Sequence, residues 1–234
     1  MEKKYRHEYK YQIHAGQAAI LDMRAAMLMH SDTHTDGDGT YLIKSLYFDD
    51  YHDSCYRENE DGYNLRAKYR IRYYNNDTSC IRLEKKSKVN GMTRKDSCLI
   101  TREQCEEFMA GQIPRVTSDM PKMMQMLFTE MRLKSLIPKV IVIYERKPYV
   151  YSIGNVRVTF DRNILSSGDI LHFLDEEVVS RPIMQKGECV MEVKWDELLP
   201  EHIKNHLSLD SLQWTSFSKY SLCRKYDSYG GINI

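Results

Sequence analysis

Between Leu65 and Tyr74 the chain runs Leu-Arg-Ala-Lys-Tyr-Arg-Ile-Arg-Tyr-Tyr, with a cation at every second position from Arg66 to Arg72. Successive side chains of a β-strand point to opposite faces. Arg66, Lys68, Arg70 and Arg72 therefore share one face, and Leu65, Ala67, Tyr69, Ile71 and Tyr73 fill the other. Arg82, Glu84, Lys86 and Lys88 repeat the pattern on the next strand. The same alternation groups Arg6, Glu8 and Lys10, although His7, Tyr9 and Tyr11 opposite them are only partly apolar. It also groups Val140, Val142, Tyr144 and Arg146, then Arg157, Thr159 and Asp161 against Val156, Val158 and Phe160, and finally Glu192 and Lys194 against Met191, Val193 and Trp195.

One such strand reads as the solvated face of a half-buried sheet. Ordinary solvated faces mix Thr, Ser, Lys and Glu, however, and here five or six strands carry Arg and Lys with an occasional Glu. If the sheet curls into a closed barrel, these faces converge on one lumen. The net charge of +1 hides this concentration. Residues 65–95 hold ten basic residues against two acids, whereas residues 1–64 hold seven against twelve. A lumen with many cations and a few carboxylates suits a polyanion together with a divalent metal, the cations holding phosphates and the carboxylates the metal. Nucleic acid is the rival polyanion. No zinc finger or RNP-type motif supports it, and aromatic residues interleave the cations only at Tyr69, Tyr73 and Tyr74, so no nucleic-acid partner is expected.

Period-two segments predict strands at roughly 5–13, 41–49, 65–74, 79–88, 139–147, 149–161 and 189–195, with a short one near 96–100. Helices are predicted over 16–30, from the capping-box pattern Thr101-Arg102-Glu103-Gln104 to Gly111, and over 118–136, 196–207 and 215–227. Long strand-rich stretches without regular βαβ spacing predict an α+β fold with a mainly antiparallel sheet. A chain of 234 residues suffices for one sizeable domain.

The longest apolar run, Val140-Ile141-Val142-Ile143-Tyr144, is too short to span a bilayer, and no apolar stretch follows the charged opening residues as in a secretory signal. Six cysteines without a C-x-x-C pair read as reduced thiols in a cytoplasmic protein. His30/His34 and His202/His206 stand four apart but lack the H-E-x-x-H pattern, and read as surface helix residues. Asp32, Asp36 and Asp38 around Gly37 and Gly39 read as a polar turn, and Met120, Met123, Met124, Met126 and Met131 as adaptable core.

Several short motifs occur in a fixed order: Arg6-His7-Glu8-Tyr9-Lys10-Tyr11, Lys44-Ser45-Leu46-Tyr47-Phe48-Asp49, Arg66 to Tyr74, Leu83-Glu84-Lys85-Lys86, Tyr144-Glu145-Arg146, Val156 to Asp161, Glu192-Val193-Lys194 and Phe217-Ser218-Lys219-Tyr220. Each alone is weak, but the ordered set resembles the VTC domain, the polyphosphate polymerase branch of the triphosphate tunnel (CYTH-like) superfamily, over nearly all of residues 1–234, read as one domain. The resemblance implies an antiparallel β-barrel forming a tunnel with flanking helices. It further implies transfer of the γ-phosphoryl of ATP to a growing polyphosphate chain, with Mn²⁺ or Mg²⁺.

Carried across by position, Lys10, Arg70, Arg72, Lys86, Arg94, Arg146 and Arg157 would bind phosphates, Lys219 would hold phosphate at a tunnel mouth, and Glu192, assisted by Glu8, would hold the metal. Ser216 stands where the family has a second Lys, three residues before Lys219, leaving Lys194 or Arg224 to supply that charge. Nothing resembles a Walker A loop, so the tunnel itself must cradle the phosphates, with Arg forks for bidentate contact and Lys for point charge. Any coupling to transport would need a membrane-protein partner. Synthesis of polyphosphate competes with hydrolysis of inorganic or nucleoside triphosphate on the same fold, and with a non-catalytic sensor of polyphosphate or nucleotide. Expected ligands are thus ATP, triphosphate, pyrophosphate or polyphosphate.

Overall fold

The structure, a computed structural model, describes residues 5–32 and 39–230. In chain order the elements are β1 (His7–Ile13), α1 (Ala15–Leu28), β2 (His30–Ser31), β3 (Tyr41–Asp49), α2 (Ser54–Glu60), β4 (Leu65–Tyr74), β5 (Asp77–Val89), β6 (Met92–Ile100), α3 (Arg102–Met109), α4 (Lys122–Leu133), β7 (Ile137–Tyr151), β8 (Val156–Ser167), β9 (Arg181–Pro182), β10 (Cys189–Trp195), α5 (Glu201–His206) and α6 (Lys219–Gly230).

Eight strands form one antiparallel sheet in the order β1-β10-β8-β7-β3-β4-β5-β6, with β2 added to β7 and β9 to β8. The sheet curls until its two edges touch. Arg6 and Thr93 exchange backbone hydrogen bonds of 3.0 and 3.1 Å, but no ladder continues from this bridge. Beyond it the edge of β1 is taken by residues 214–215, where Thr215 N–H donates to the Lys10 carbonyl at 2.8 Å. The tunnel fold is thus present, with its seam closed partly by a bridge and partly by the segment leading into α6.

Three apolar clusters hold this shape. The outer face of β3, β4, β5 and β7 packs Leu46, Tyr69, Ile71, Tyr73 and Leu83 against Phe108 of α3 and Leu127, Phe128 and Met131 of α4. The outer face of β8 and β10 packs Val158, Phe160, Met191 and Val193 against Ala18, Leu21 and Ala25 of α1. The third cluster is inside the barrel, where Ile43, Val140, Val142 and Val190 meet Tyr220 and Cys223 of α6. One end of the lumen is therefore filled with apolar side chains and the helix.

Several boundaries differ from the periodicity. Pro148 does not divide two strands, because β7 runs through it; the turn comes at residues 152–155. Gly154 there has φ +72°, and a Cβ on it would lie 2.3 Å from the Leu198 carbonyl oxygen, so no larger residue fits. Pro148 falls between the β3 pairing, which ends at Arg146, and the β2 pairing, which begins at Tyr149; a residue without an N–H is tolerated at such a gap. Pro200 and Pro121 set the starts of α5 and α4, shortening both predicted helices. Residues 215–218 have no regular secondary structure, against the predicted helix over 215–227, and α2 is an element the periodicity does not predict. The capping box at Thr101 and Gln104 forms as predicted. His30 lies in β2 rather than a helix, and His34, Asp36 and Asp38 lie outside the described residues. All six cysteines are free, and no helix among the described residues is long and apolar enough to cross a membrane.

Candidate active site

Pairing fixes which side chains share the lumen. Arg70 stands opposite Tyr47 on β3 and Glu84 on β5, and Arg72 opposite Ser45 and Arg82. Lys68 stands opposite Lys86, Arg146 opposite Asp161, and Lys10 opposite Glu192. Directly paired residues lie on one face of the sheet. The result is a cavity of about 90 Å³ lined by eight cations: Lys10, Lys68, Arg70, Arg72, Lys86, Arg146, Lys194 and Lys219. Glu192, Tyr47, Tyr144 and Tyr220 complete much of the wall.

Such a crowd of like charges is stable only if it is compensated. Four carboxylates do this. Glu84, fully buried, takes Arg70 through Nε at 2.8 Å and Nη2 at 2.7 Å, and Lys95 at 3.0 Å. Asp161 takes the Arg146 fork through two bonds of 2.6 Å and Lys219 at 2.5 Å. Glu192 lies within 2.8 Å of Lys194, 3.3 Å of Lys219 and 3.5 Å of both Lys10 and Arg146. Glu8 lies 2.7 Å from Lys86 and 3.3 Å from Lys194. Burial alone would raise the Glu192 carboxyl, but Lys194, Lys219, Lys10 and Arg146 hold it well below the usual carboxylate range. Burial would likewise raise Glu84, and Arg70, Arg72 and Lys95 hold it down. Among the lysines the balance differs by position. Burial pushes Lys86 down to about 7 in spite of Glu8, and pushes Lys68 well down with help from Lys10 and Lys86. Lys219 is raised, because Asp161 and Glu192 outweigh its burial.

Neutral partners fix the arginine planes. Arg70 Nη1 donates to the Tyr47 hydroxyl at 3.0 Å, and Arg72 donates to Ser45 Oγ at 3.0 Å and the Tyr144 hydroxyl at 2.9 Å. Tyr47 stacks on Tyr220 with centroids 5.1 Å apart. Tyr220 in turn donates to Asp49 Oδ2 at 2.5 Å, and Asp49 also accepts the backbone N–H groups of Cys55 and Tyr56 at the start of α2. The motifs ending in Asp49 and in Tyr220 are thus two halves of one joint, which seats α6 and delivers Lys219 into the lumen.

Of the residues predicted for the site, Lys10, Arg70, Arg72, Lys86, Arg146, Lys219 and Glu192 meet around the cavity, and Glu8 adjoins them. Three placements differ from expectation. Lys219 is not at a mouth; it is buried over the Tyr144 ring, 4.8 Å from the centroid. Arg94 is on the outer face, opposite Ser87, stacked on Tyr5 and 3.2 Å from Asp96. The Asn90-Gly91 turn explains this: both residues have positive φ, the two-residue hairpin pairs Val89 with Met92, and Thr93 rather than Arg94 faces inward. Arg157 shares the lumen face but stands outside the ring lining the cavity, tied to Asp32 at 2.7 Å and the Tyr41 hydroxyl at 3.1 Å. Of the two substitutes for a Lys at position 216, Lys194 is in the ring, whereas Arg224 pairs with Asp53 at 2.7 Å and docks α6 on α2. The sequence assigns no site role to Asp161, Glu84, Tyr47 and Tyr144, and places Lys68 only among the cations of the lumen face; strand parity is the signal for Asp161, Glu84, Tyr144 and Lys68.

The donor set limits what metal chemistry fits. Among the described residues no three His, Cys, Asp or Glu side chains form a cluster able to hold an ion. Glu8 and Glu192 nevertheless both reach the Lys194 ammonium, so that one cation already bridges them. Two carboxylates are a fitting protein share for Mg²⁺ or Mn²⁺, whose other positions go to water and substrate phosphates.

An antiparallel tunnel lined by compensated arginines and lysines defines the class of protein. Solved structures share the fold at low sequence identity. A “putative adenylate cyclase” from Bacillus halodurans aligns with a TM-score of 0.55 and 11% identity over 93% of this chain and 96% of its own. A Hippeastrum protein, described as a “putative adenylyl cyclase” with a dominant triphosphatase activity, aligns with a TM-score of 0.54 and 13% identity over 95% and 96%. No match is found among curated proteins. The VTC domain family matches residues 5–226, and the chain belongs to it.

Proposed function

We propose that the chain, acting as one tunnel domain over residues 1–234, is a polyphosphate polymerase that transfers the γ-phosphoryl of ATP to a growing polyphosphate chain. The observation that carries this reading is the ring of eight cations around a cavity of about 90 Å³, a space that excludes bulky substrates and admits a phosphate chain. Phosphoryl transfer asks a protein chiefly to position the reactants and to balance charge on the phosphoryl oxygens. Arg70, Arg72 and Arg146 offer planar forks held by Tyr47, Tyr144, Glu84 and Asp161, and Lys10, Lys86, Lys194 and Lys219 offer point charges. Arg70 and Arg72, two apart on β4, are about 7 Å apart along the strand, which suits neighbouring phosphates of one chain. Arg157 adds a grip toward the Asp32 side once it leaves that carboxylate. Arg94, on the outer face, has no part in this. Glu192 and Glu8 would hold Mn²⁺ or Mg²⁺ jointly with phosphate oxygens; when bound, the ion offsets charge on those oxygens.

Hydrolysis of triphosphate is the second reading. It is favoured by Ser216 in place of a family lysine and by the triphosphatase activity of the Hippeastrum protein of like fold. Incubation of the purified protein with ATP and Mn²⁺, resolved on a gel, separates the possibilities. A ladder of products supports polymerase, free phosphate supports hydrolase, and unchanged ATP supports a sensor.

A further inference from the structure

A second cavity, of about 330 Å³, opens beside the first and shares Lys10, Lys68, Lys86 and Ser218 with it. It lies at the seam of the barrel, between the β5–β6 turn at Gly91 and the segment 214–218. The two cavities therefore lie side by side, with Lys10, Lys68, Lys86 and Ser218 between them. The two are chemically unlike. The inner one is lined by eight cations, six of them ion-paired with carboxylates, while Lys68 and Arg72 are held by hydroxyls. The outer one adds Arg66 and Lys88, and its rim is aromatic.

That rim is unusual for a purely anionic ligand. Trp214 is 66% exposed and Tyr9 45% exposed, and their rings stack at 6.1 Å with an interplanar angle of 17°. Tyr9 is braced from behind by an edge contact with Trp195 at 4.9 Å, and Trp195 by a stack with His7 at 5.2 Å. The Trp214 backbone is fixed by its bridge to Tyr11, so the indole is held at the opening by the chain and not by burial. Polyphosphate has no apolar surface and gains nothing from an exposed indole. A nucleobase does, because every base presents a π-face that stacks on an aromatic ring.

Resting on the reading that the lumen holds a phosphate chain, we propose that the seam cavity is the nucleoside subsite: the triphosphate of a nucleotide enters the ring through the seam while its base stacks at Trp214 and Tyr9. Recognition is by face rather than by edge, so ATP and GTP should bind alike. Arg66 and Lys88 guard the approach, and Ser216 is among the lining residues.

Titration calorimetry with ATP and with inorganic tripolyphosphate tests this on the full chain. Trp214→Ala should weaken ATP by about tenfold, the scale of a lost base stack, and leave tripolyphosphate within about twofold. Trp214→Phe, which keeps a ring, should restore most of the ATP affinity. Retained tripolyphosphate binding also shows that the variant is folded. An equal loss for both ligands, or no loss for ATP, overturns the assignment. Failure of tripolyphosphate to bind the unaltered protein would overturn the tunnel reading itself, and the base subsite with it.

Discussion

Lys85 and Lys86 are neighbours on β5, yet they belong to opposite sides of the molecule. Lys86 points into the lumen, where it meets Glu8 at 2.7 Å and burial pushes it down to about 7. Lys85 points outward, pairs with Glu130 of α4 at 2.6 Å and lies over the Tyr69 ring. The outer pair fastens a helix to the sheet and has no reason to respond to a ligand. The inner pair is one of a set of cations held by protein carboxylates and hydroxyls, and those are the contacts a polyanion must compete for. One residue of parity separates the two roles, so substitutions should divide along the same line.

The largest effect should come from Glu192, which touches four cations. Glu192→Gln keeps the shape and removes the charge, so metal-dependent turnover should fall by orders of magnitude. Stability of the ligand-free protein should also fall, toward the lower end of the about 3–5 kcal/mol seen when a buried pair is broken, because Glu8 and Asp161 remain. Tripolyphosphate should recover the lost melting temperature by supplying the missing negative charge. A variant that turns over normally with Mn²⁺ would remove Glu192 from the mechanism.

The next effect separates two arginines that look equivalent in sequence. Both Arg70→Ala and Arg72→Ala should weaken tripolyphosphate severely. Only the first strips a buried carboxylate of its fork, leaving Lys95 as the direct ion pair of Glu84 and Arg72 acting from further off, and it should cost about 3–5 kcal/mol by chemical denaturation. Arg72 is held by Ser45 and Tyr144, and losing those two bonds costs about 1 kcal/mol each, offset by relief of its repulsion from Arg70. If Arg72→Ala proves the less stable variant, the division of labour between the two is misread.

This asymmetry marks where sequence reading stops. Parity along a strand is a local property, so the cationic faces of β4, β5 and β10 were legible in the order of residues alone, as was the antiparallel α+β class. What stands behind each cation depends on pairing across strands, which parity alone does not give. Asp161 ends a short motif, and nothing in that motif says that it will take both Arg146 and Lys219. Arg94, carried across by resemblance alone, could have been placed from the sequence, since Asn90-Gly91 is a two-residue hairpin signal and fixes which of its neighbours point inward. The aromatic rim at Trp214 was beyond reach, because it depends on residues 214–215 pairing with β1 across some 200 positions of chain.

A smaller effect concerns protons. Burial pushes Lys86 down to about 7 in the empty protein, against about 10.4 when unfolded. Between those values the unfolded chain binds more protons, so this group makes the empty protein more stable as pH rises and penalises it fully below about 7. A polyanion reverses the balance by favouring the ammonium. Binding of tripolyphosphate at pH 8 should therefore take up protons, seen as a dependence of calorimetric heat on the ionisation enthalpy of the buffer, and affinity should decline as pH rises above 7. Lys86→Arg, charged throughout, should remove part of that uptake, and Lys68, which burial also pushes well down, supplies a share of its own. Heats that are the same in every buffer would show that Lys86 is already fully charged in the empty tunnel.

The smallest effect is the other half of the comparison. Lys85→Ala removes a pair that is partly open to solvent, and such pairs are worth about 0–1 kcal/mol. Glu130 is not left bare, since the Tyr69 hydroxyl still donates to it at 3.0 Å. The melting temperature should fall by about 2–4 °C at most for a chain of this size, and tripolyphosphate affinity and turnover should stay as they were. The change also removes one positive charge from a residue adjacent to the ring. If a diffuse basic field and not a built lumen captured the polyanion, Lys85→Ala and Lys86→Ala would weaken binding alike, and both losses would fade together as salt was added. In a built lumen only Lys86→Ala should matter, because that ammonium and not that of Lys85 lines the cavity. Measuring the two variants side by side at low and high ionic strength therefore asks whether one residue of parity decides function here, and equal behaviour would answer that it does not.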